Sequence, residues 1–480
     1  MIDRKDVRRA CRHGRGNAGP SRRLVVREVF LMNEDKASAY GDERLPRYTS
    51  YPTAPHFSDA VTSDVYARWL GELSPDLSAS LYLHVPFCRQ MCWYCGCNTT
   101  VMRSDAPISA YVAELCREID TVAGCVPHPL KVGHVHFGGG TPTIVAPHEF
   151  LALMALLRRR FDLGPDAEIA VEIDPRRLER PMAQALGEGG VNRASLGVQS
   201  FDPVVQQAIN RVQSYAVTAA AVEMLHEAGI TAVNFDLIYG LPHQSVQSCR
   251  ETARQCLALR PARLSVFGYA HVPAFKPHQR LIDEAALPDG AERRLQAEAI
   301  AEVLSTGGYR RIGFDHYALP DDELSIAERE GRLHRNFQGY TSDACDVLVG
   351  FGASAIGRLP QGYVQNEPLP RRYSKLIGEG GLATVKGYAL TADDRLRADI
   401  IERLMCDLVV DVGEICARHG TDPAPLMNAP RLGDVVRDGL ARIEGHVVRV
   451  PDEARFLVRN IAAAFDAYLG QGGRTHSRAV

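Results

Sequence analysis

No stretch of this chain approaches the roughly 18 consecutive apolar residues that a membrane helix needs, so no membrane span is expected. A charge excess is also missing: 55 Lys and Arg against 58 Asp and Glu give a formal net charge of −3. That balance predicts no general affinity for nucleic acid or anionic membrane. No apolar segment closed by a small-residue cleavage site follows the start, so export is not expected. Internal repeats and long low-complexity segments are absent. Nor do the twelve cysteines make a disulfide framework. Cys11, Cys116, Cys125, Cys249, Cys256, Cys345, Cys406 and Cys416 are scattered, while the other four crowd between Cys88 and Cys97. In a chain without an export signal, such clustering favours metal binding over bridges and points to the reducing cytoplasm.

What the chain does have is length and rhythm. Its 480 residues exceed one typical domain and call for a large unit with accessories. Residues 1–31 carry eight Arg and one Lys against three acidic residues. They read as a flexible basic tail, a transit-type segment, or the product of a start assigned before a true beginning at Met32. Residues 32–79 form an N-terminal segment. From about 80 to 270, short β-type runs alternate with helical patterns. The strand candidates are "LYLHV" (81–85), "GHVHF" (133–137), "EIAVEI" (168–173), "RASLGV" (193–198), "AVNFDLI" (232–238) and "RLSVFGY" (263–269). Between the first two, Val112, Leu115, Cys116 and Ile119 fall on one helical face. "VQSCRETARQCLAL" (246–259) suits a later crossover helix.

Six strands separated by helices predict an α/β fold with a parallel sheet, either an open barrel or doubly wound. Active groups then gather at the C-terminal ends of the strands. The large unit is expected to span 80–385. Residues 386–475 read as a smaller, mainly helical C-terminal domain with a hairpin-like stretch at 439–453.

The loop "HVPFCRQMCWYCGCN" (84–98) follows the first strand directly, on the functional rim. A structural zinc site usually pairs two C-x2-C units or adds histidines. No second pair occurs, and His84, the nearby candidate for a fourth ligand, lies on the predicted strand. A cubane iron–sulfur cluster on three thiolates would leave one iron open for an exogenous ligand. Trp93 and Tyr94 could shield such a centre. The residues favour this arrangement, with structural metal and incidental thiols as the alternatives.

C-x3-C-x2-C after a first strand resembles the radical S-adenosylmethionine (SAM) superfamily. The resemblance implies a partial, open TIM-type β/α barrel of about six strands, with Cys88, Cys92 and Cys95 carrying a [4Fe–4S] cluster whose open iron binds SAM. "FGGGTPT" (137–143) resembles the superfamily's glycine-rich segment, where absent side chains admit a ligand close to the backbone. Longer stretches resemble oxygen-independent coproporphyrinogen III oxidases over about residues 44–470. They are "RYTSYPTA" (47–54), "YLHVPFC" with its following "CGCN" (82–98), "VEIDPR" (171–176), "LGVQSFDPVVQQAINR" (196–211), "NFDLIYGLP" (234–242), "SVFGYAHVP" (265–273) and "LHRNFQGYTS" (333–342). The alternative is the related heme chaperone family, which lacks the "RYTSYPTA" segment and a cysteine at the place of Cys97.

Position by position, the resemblance implies that Tyr82, Tyr94, Gly139, Glu172 and Ile356 contact SAM. It implies that Gly140, Thr141, Gln199, Arg211, Asp236 and Ala270 contact a second SAM molecule. Cys97 corresponds to a cysteine that does not ligate iron. Taken without the resemblance, Glu172 and Asp236 could cap helices or pair with arginines. Arg211 could be a surface cation, Gln199 could satisfy loop backbone, and Ile356 and Ala270 could be core.

The implied reaction is oxidative decarboxylation of two propionates of coproporphyrinogen III by a 5′-deoxyadenosyl radical, giving protoporphyrinogen IX in heme biosynthesis. No catalytic side chain is assigned. The resemblance also implies a low-potential electron donor such as flavodoxin and a monomeric protein. A substrate with four propionates asks for arginine forks, for which Arg47, Arg176 and Arg335 are candidates. The N-terminal segment and C-terminal domain are expected to close over the barrel mouth, keeping water and oxygen from the radical.

Overall fold

The computed structural model describes residues 34–471, so the reading of residues 1–31 lies outside the described residues. Strands and helices alternate as β1 (Ser78–Val85), α1 (Ala106–Cys125), β2 (Lys131–Gly139), α2 (Pro147–Arg160), β3 (Asp162–Ile173), α3 (Arg180–Glu188), β4 (Arg193–Gln199), α4 (Tyr215–Glu227), β5 (Ala232–Tyr239), α5 (Val246–Leu259) and β6 (Arg263–Gly268). Every neighbouring pair from β1 to β6 is parallel. A parallel pair needs a crossover, and helices on the sheet face bury apolar strand residues. Thus Ala79, Leu81, Leu83 and Val85 of β1 are buried, as are Ile108, Val112, Leu115, Ile119 and Val122 along one face of α1. The helix read at 246–259 is α5. Ser245 caps it, accepting from the Ser248 amide at 3.2 Å.

Beyond α6 (Gly290–Thr306) the sheet grows at both flanks. β7 (Arg310–Ile312) and β8 (His316–Ala318) extend β6 antiparallel. β9 (Val347–Phe351) returns beside β1 in parallel, followed by β10 (Ile356–Leu359), β11 (Gly362–Asn366) and β12 (Thr384–Ala389) in antiparallel order. The twelve strands run β12-β11-β10-β9-β1-β2-β3-β4-β5-β6-β8-β7, so the barrel stays open. The weak rhythm beyond about 280 does not announce β9 as a seventh parallel strand. Its five residues, Val347 to Phe351, are a short apolar run that does not alternate, and its place depends on a partner far earlier in the chain.

A second apolar core gathers residues of α7 (Ala392–Asp407), such as Leu396, Ile400 and Leu404, with Leu432, Val448, Leu457 and Ile461. Leu45, Tyr48 and Tyr51 of the N-terminal segment belong to the same core. The Tyr48 hydroxyl donates to Asp466 at 3.0 Å, and the Tyr51 hydroxyl accepts from the Ala467 amide at 2.9 Å. The hairpin at 439–453 is present as strands Arg442–Glu444 and Val447–Arg449. Residue 386 lies within β12.

Candidate active site

The cysteine loop is pinned at its stem, where Phe87–Cys88 pairs in parallel with Thr100–Val101 directly after β1. Each thiol then meets donors or cations. The Thr99 hydroxyl donates to Cys88 Sγ at 3.3 Å, and the Thr141 hydroxyl lies 3.4 Å from the same atom. Arg176 and Arg211 each donate to Cys92 Sγ at 3.5 Å. Asp174 fixes both guanidiniums, at 2.7 Å from Arg176 and 3.4 Å from Arg211. A hydrogen bond from the Cys97 thiol, helped by Lys276 and Arg211, holds Cys95 down at about 7 against the effect of burial.

Burial outweighs the two hydroxyls and raises Cys88, but O–H and N–H donors around the sulfurs suit an anionic iron–sulfur cluster. Among the described residues, only His134, Asp343 and Cys345 bring three His, Cys, Asp or Glu ligand atoms within 4.8 Å of one another. His84 supplies no fourth ligand. Its Nδ1 lies 2.9 Å from the Tyr82 hydroxyl and its Nε2 3.0 Å from the Asn98 carbonyl. Burial lowers its pKa, so the ring is neutral.

The three glycines let the end of β2 press against that of β1. A Cβ on Gly138 would stand 2.9 Å from both Tyr82 and Glu172, and one on Gly140 would stand 2.6 Å from the Phe87 carbonyl. Gly139 has φ +120° and its Cβ would meet the Val85 carbonyl at 2.8 Å. Its amide donates to Glu172 at 3.2 Å, and His136 Nε2 lies 3.2 Å from the other carboxylate oxygen. Tyr82 stacks on His136, so Tyr82, Gly138, Gly139 and Glu172 share one patch.

Gln199 ends β4 in the left-handed region (φ +66°), and both it and Arg211 crowd Gly197. Arg211 is buried, not a surface cation, and donates to the Gly197 carbonyl at 2.6 Å. Its Nε has no protein partner. Asp236 accepts from the Ser195 hydroxyl at 3.1 Å. Burial, then the charge of Glu172, pushes its carboxyl up to about 6. The carbonyls of Ala270 and Tyr94 share one donor, the Gln279 amide, at 3.2 and 2.9 Å. Ile356 stands at the same rim, just past the C-terminal end of β9, and pairs with Gln365.

The candidate arginines divide. Arg176 is committed to Asp174 and Cys92. Arg47 and Arg335 instead meet beside Asp315, with Arg459 near both arginines. Arg47 keeps accessible surface although protein surrounds it, as a side chain lining a recess does. It donates to the Gly268 carbonyl at 3.4 Å, which places the recess at the C-terminal ends of β5 and β6. Arg335 lies over Phe314 and Tyr340, 5.0 and 4.4 Å from the ring centres. Its Nε and Nη1 have no hydrogen-bond partner, with Asp315 Oδ1 at 3.7 Å from Nη1.

Arg459 donates to the backbone carbonyls of Leu45 and Pro46. Burial, then the charge of Arg47, lowers it to about 9. Burial raises Asp315, but Arg335, His316 and Arg47 outweigh it and hold the carboxyl below its usual range. Reasoning from the sequence missed Arg459, Asp315, Thr99 and His136. Nothing local marks them, except that Thr99 directly follows the cysteine loop.

Residues 82–256 match the radical SAM superfamily and residues 390–457 the HemN C-terminal domain. An oxygen-independent coproporphyrinogen III oxidase of Bradyrhizobium diazoefficiens is 60% identical over 450 residues, covering 94% of this chain and 100% of that protein. Anaerobic coproporphyrinogen III oxidase 1 of Cereibacter sphaeroides is 43% identical, covering 89% of this chain and 95% of its own length. The structure of coproporphyrinogen III oxidase HemN from Escherichia coli, a radical SAM enzyme, matches with a TM-score of 0.84 at 38% identity. That match covers 89% of this chain and 100% of the E. coli chain. With this identity along nearly its whole length, on the same fold and around a C-x3-C-x2-C loop at the sheet's C-terminal rim, the chain belongs to the oxygen-independent coproporphyrinogen III oxidases, radical SAM oxidoreductases that use a [4Fe–4S] cluster and SAM.

Proposed function

We propose that this chain converts two propionates of coproporphyrinogen III to vinyl groups, giving protoporphyrinogen IX, each propionate losing CO2, one hydrogen atom to the 5′-deoxyadenosyl radical and one electron to an external acceptor. The observation that carries the substrate is the recess at the ends of β5 and β6, where Arg47 and Arg335 share the carboxylate of Asp315 and Arg459 lies near both arginines. Burying cations is costly unless they are paired, so two guanidiniums, Arg47 and Arg335, sharing the one carboxylate of Asp315 favour an anionic guest. Guanidinium forks grip carboxylates bidentately. Arg335, whose Nε and Nη1 make no hydrogen bond within the protein, is the principal anchor, and Arg47 stands on the recess wall.

In this reading Cys88, Cys92 and Cys95 hold the cluster. Tyr82, Tyr94, Gly139, Glu172 and Ile356 hold one SAM, and Gly140, Thr141, Gln199, Arg211, Asp236 and Ala270 a second. Together, bound cluster and SAM supply a one-electron cleavage that delivers a hydrogen-abstracting radical. The chain's own side chains prepare the place. Glu172 is oriented by Gly139 N–H and His136 to accept from a polar ligand. Arg211 presents its free Nε to an anionic group. Asp236, pushed up to about 6, is still mainly ionised at neutral pH and accepts from a ligand hydroxyl or amine. Tyr48 and Tyr51 tie the N-terminal segment into the C-terminal core beside the recess, which limits water at the reacting centre. The reading includes a cytoplasmic monomer and a low-potential donor such as flavodoxin. No helix among the described residues is long and apolar enough to cross a membrane.

The test is anaerobic reconstitution with iron and sulfide, reduction, and incubation with SAM and coproporphyrinogen III. Protoporphyrinogen and 5′-deoxyadenosine should both form, and Cys92→Ala should abolish both. Deoxyadenosine without decarboxylated porphyrin would refute the substrate, and tight heme binding without turnover would point to a chaperone.

A further inference from the structure

The set of ligand atoms that falls within single-ion range lies at the opposite end of the strands from the cysteine loop. His134 is the fourth residue of β2, facing Ser80 of β1 and Glu168 of β3 in register. Asp343 and Cys345 lie in the segment that leads into β9. Because β9 runs parallel to β1, that segment sits at the N-terminal rim of the sheet. The five residue-to-residue steps from His134 to Gly139 separate it from the glycine turn by about 17 Å.

We propose that His134, Asp343 and Cys345 form a zinc site, with imidazole, carboxylate and thiolate as three ligands and water as the fourth. One ligand atom from each lies within 4.8 Å of the other two. His134 Nε2 and Asp343 Oδ1 stand 3.8 Å apart. That is too long for a hydrogen bond but suits two ligands of one ion. The carboxylate is already oriented. Asp343 Oδ1 accepts from the Cys345 amide at 2.9 Å, and Oδ2 accepts from the Ser80 hydroxyl.

Gly133 leaves room for the sulfur, since a Cβ there would stand 3.2 Å from Cys345 Sγ. Glu168 is not free to join, being paired with Arg193 at 2.8 Å. All three ligand residues are partly exposed, so an ion can reach them. Mixed nitrogen, oxygen and sulfur donors match zinc, whereas calcium and magnesium take oxygen. Binding releases the Cys345 thiol proton and ties the start of β9 to β1 and β2, which makes the ion a clamp on the seventh parallel strand.

Cobalt(II) is the probe, added to holoprotein whose cluster cysteines are already occupied. One equivalent should bind and produce a thiolate-to-cobalt charge-transfer band, and zinc should displace it. Cys345→Ser should lose the band, and His134→Gln should weaken binding by about tenfold or more. Cluster content should be unchanged in both. Zinc should raise the Tm of the wild type but not of Cys345→Ser. No charge-transfer band in the wild-type holoprotein would overturn the site whatever the variants do. So would cobalt binding that survives both substitutions.

Discussion

Replacing Arg335 with methionine keeps an aliphatic stem over Phe314 and Tyr340 but removes the charge and every donor. In the wild type Nε makes no hydrogen bond within the protein, and Nη1 faces only Asp315 Oδ1, at the ion-pair distance of 3.7 Å. If they hold a propionate, the variant loses charge-assisted hydrogen bonds of about 1.5–3 kcal/mol. That corresponds to a fall in kcat/KM of about 10- to 150-fold. A gripped propionate is bound alike in the ground and transition states, so the loss should appear mainly in KM. Asp315 keeps His316 at 2.7 Å and Arg47 nearby, so the fold should survive with a Tm shift of only a few degrees.

Arg335→Lys retains the charge without the fork and should recover part of the activity. The assay is anaerobic protoporphyrinogen formation over a substrate series, with deoxyadenosine followed in parallel and Tm as control. A folded Arg335→Met enzyme with kcat/KM within about threefold of wild type would refute the anionic recess.

Burial pushes Glu118 up from 4.5 to about 7, despite hydrogen bonds from Gly352 N, Asn366 and Tyr373. The unfolded chain ionises first, so stability falls as pH rises from 4.5 to about 7, by at most about 3 kcal/mol. Glu118→Gln should narrow the Tm gap between pH 5.5 and pH 8. Gly139→Ala, at φ +120° against the Val85 carbonyl, should weaken SAM binding about 5- to 150-fold for 1–3 kcal/mol of strain. Equilibrium binding checks this, with Gly308→Ala as a control because that left-handed glycine has open space around it. Thr141→Val removes a hydroxyl beside Cys88 and should lower the cluster's reduction potential by about 20–60 mV in a redox titration.

The order of the barrel is written locally. Six short apolar runs alternate with helical faces, and each of the six occupies a parallel strand because its own residues carry the pattern. The cysteine loop and the glycine run are equally local, since ligand spacing and lack of side chains are properties of a few consecutive residues. Strand β9 is not, because its five residues gain their meaning only beside β1. Arg47, Arg335 and Arg459 are separated by hundreds of residues, and each alone reads as an ordinary surface charge. Only folding brings them together, with Arg47 and Arg335 beside Asp315, and it commits Arg176 elsewhere by giving it Asp174 and Cys92. The sequence could thus name the ligands of a cluster, while charge balance in the recess arises from long-range packing that no local pattern encodes.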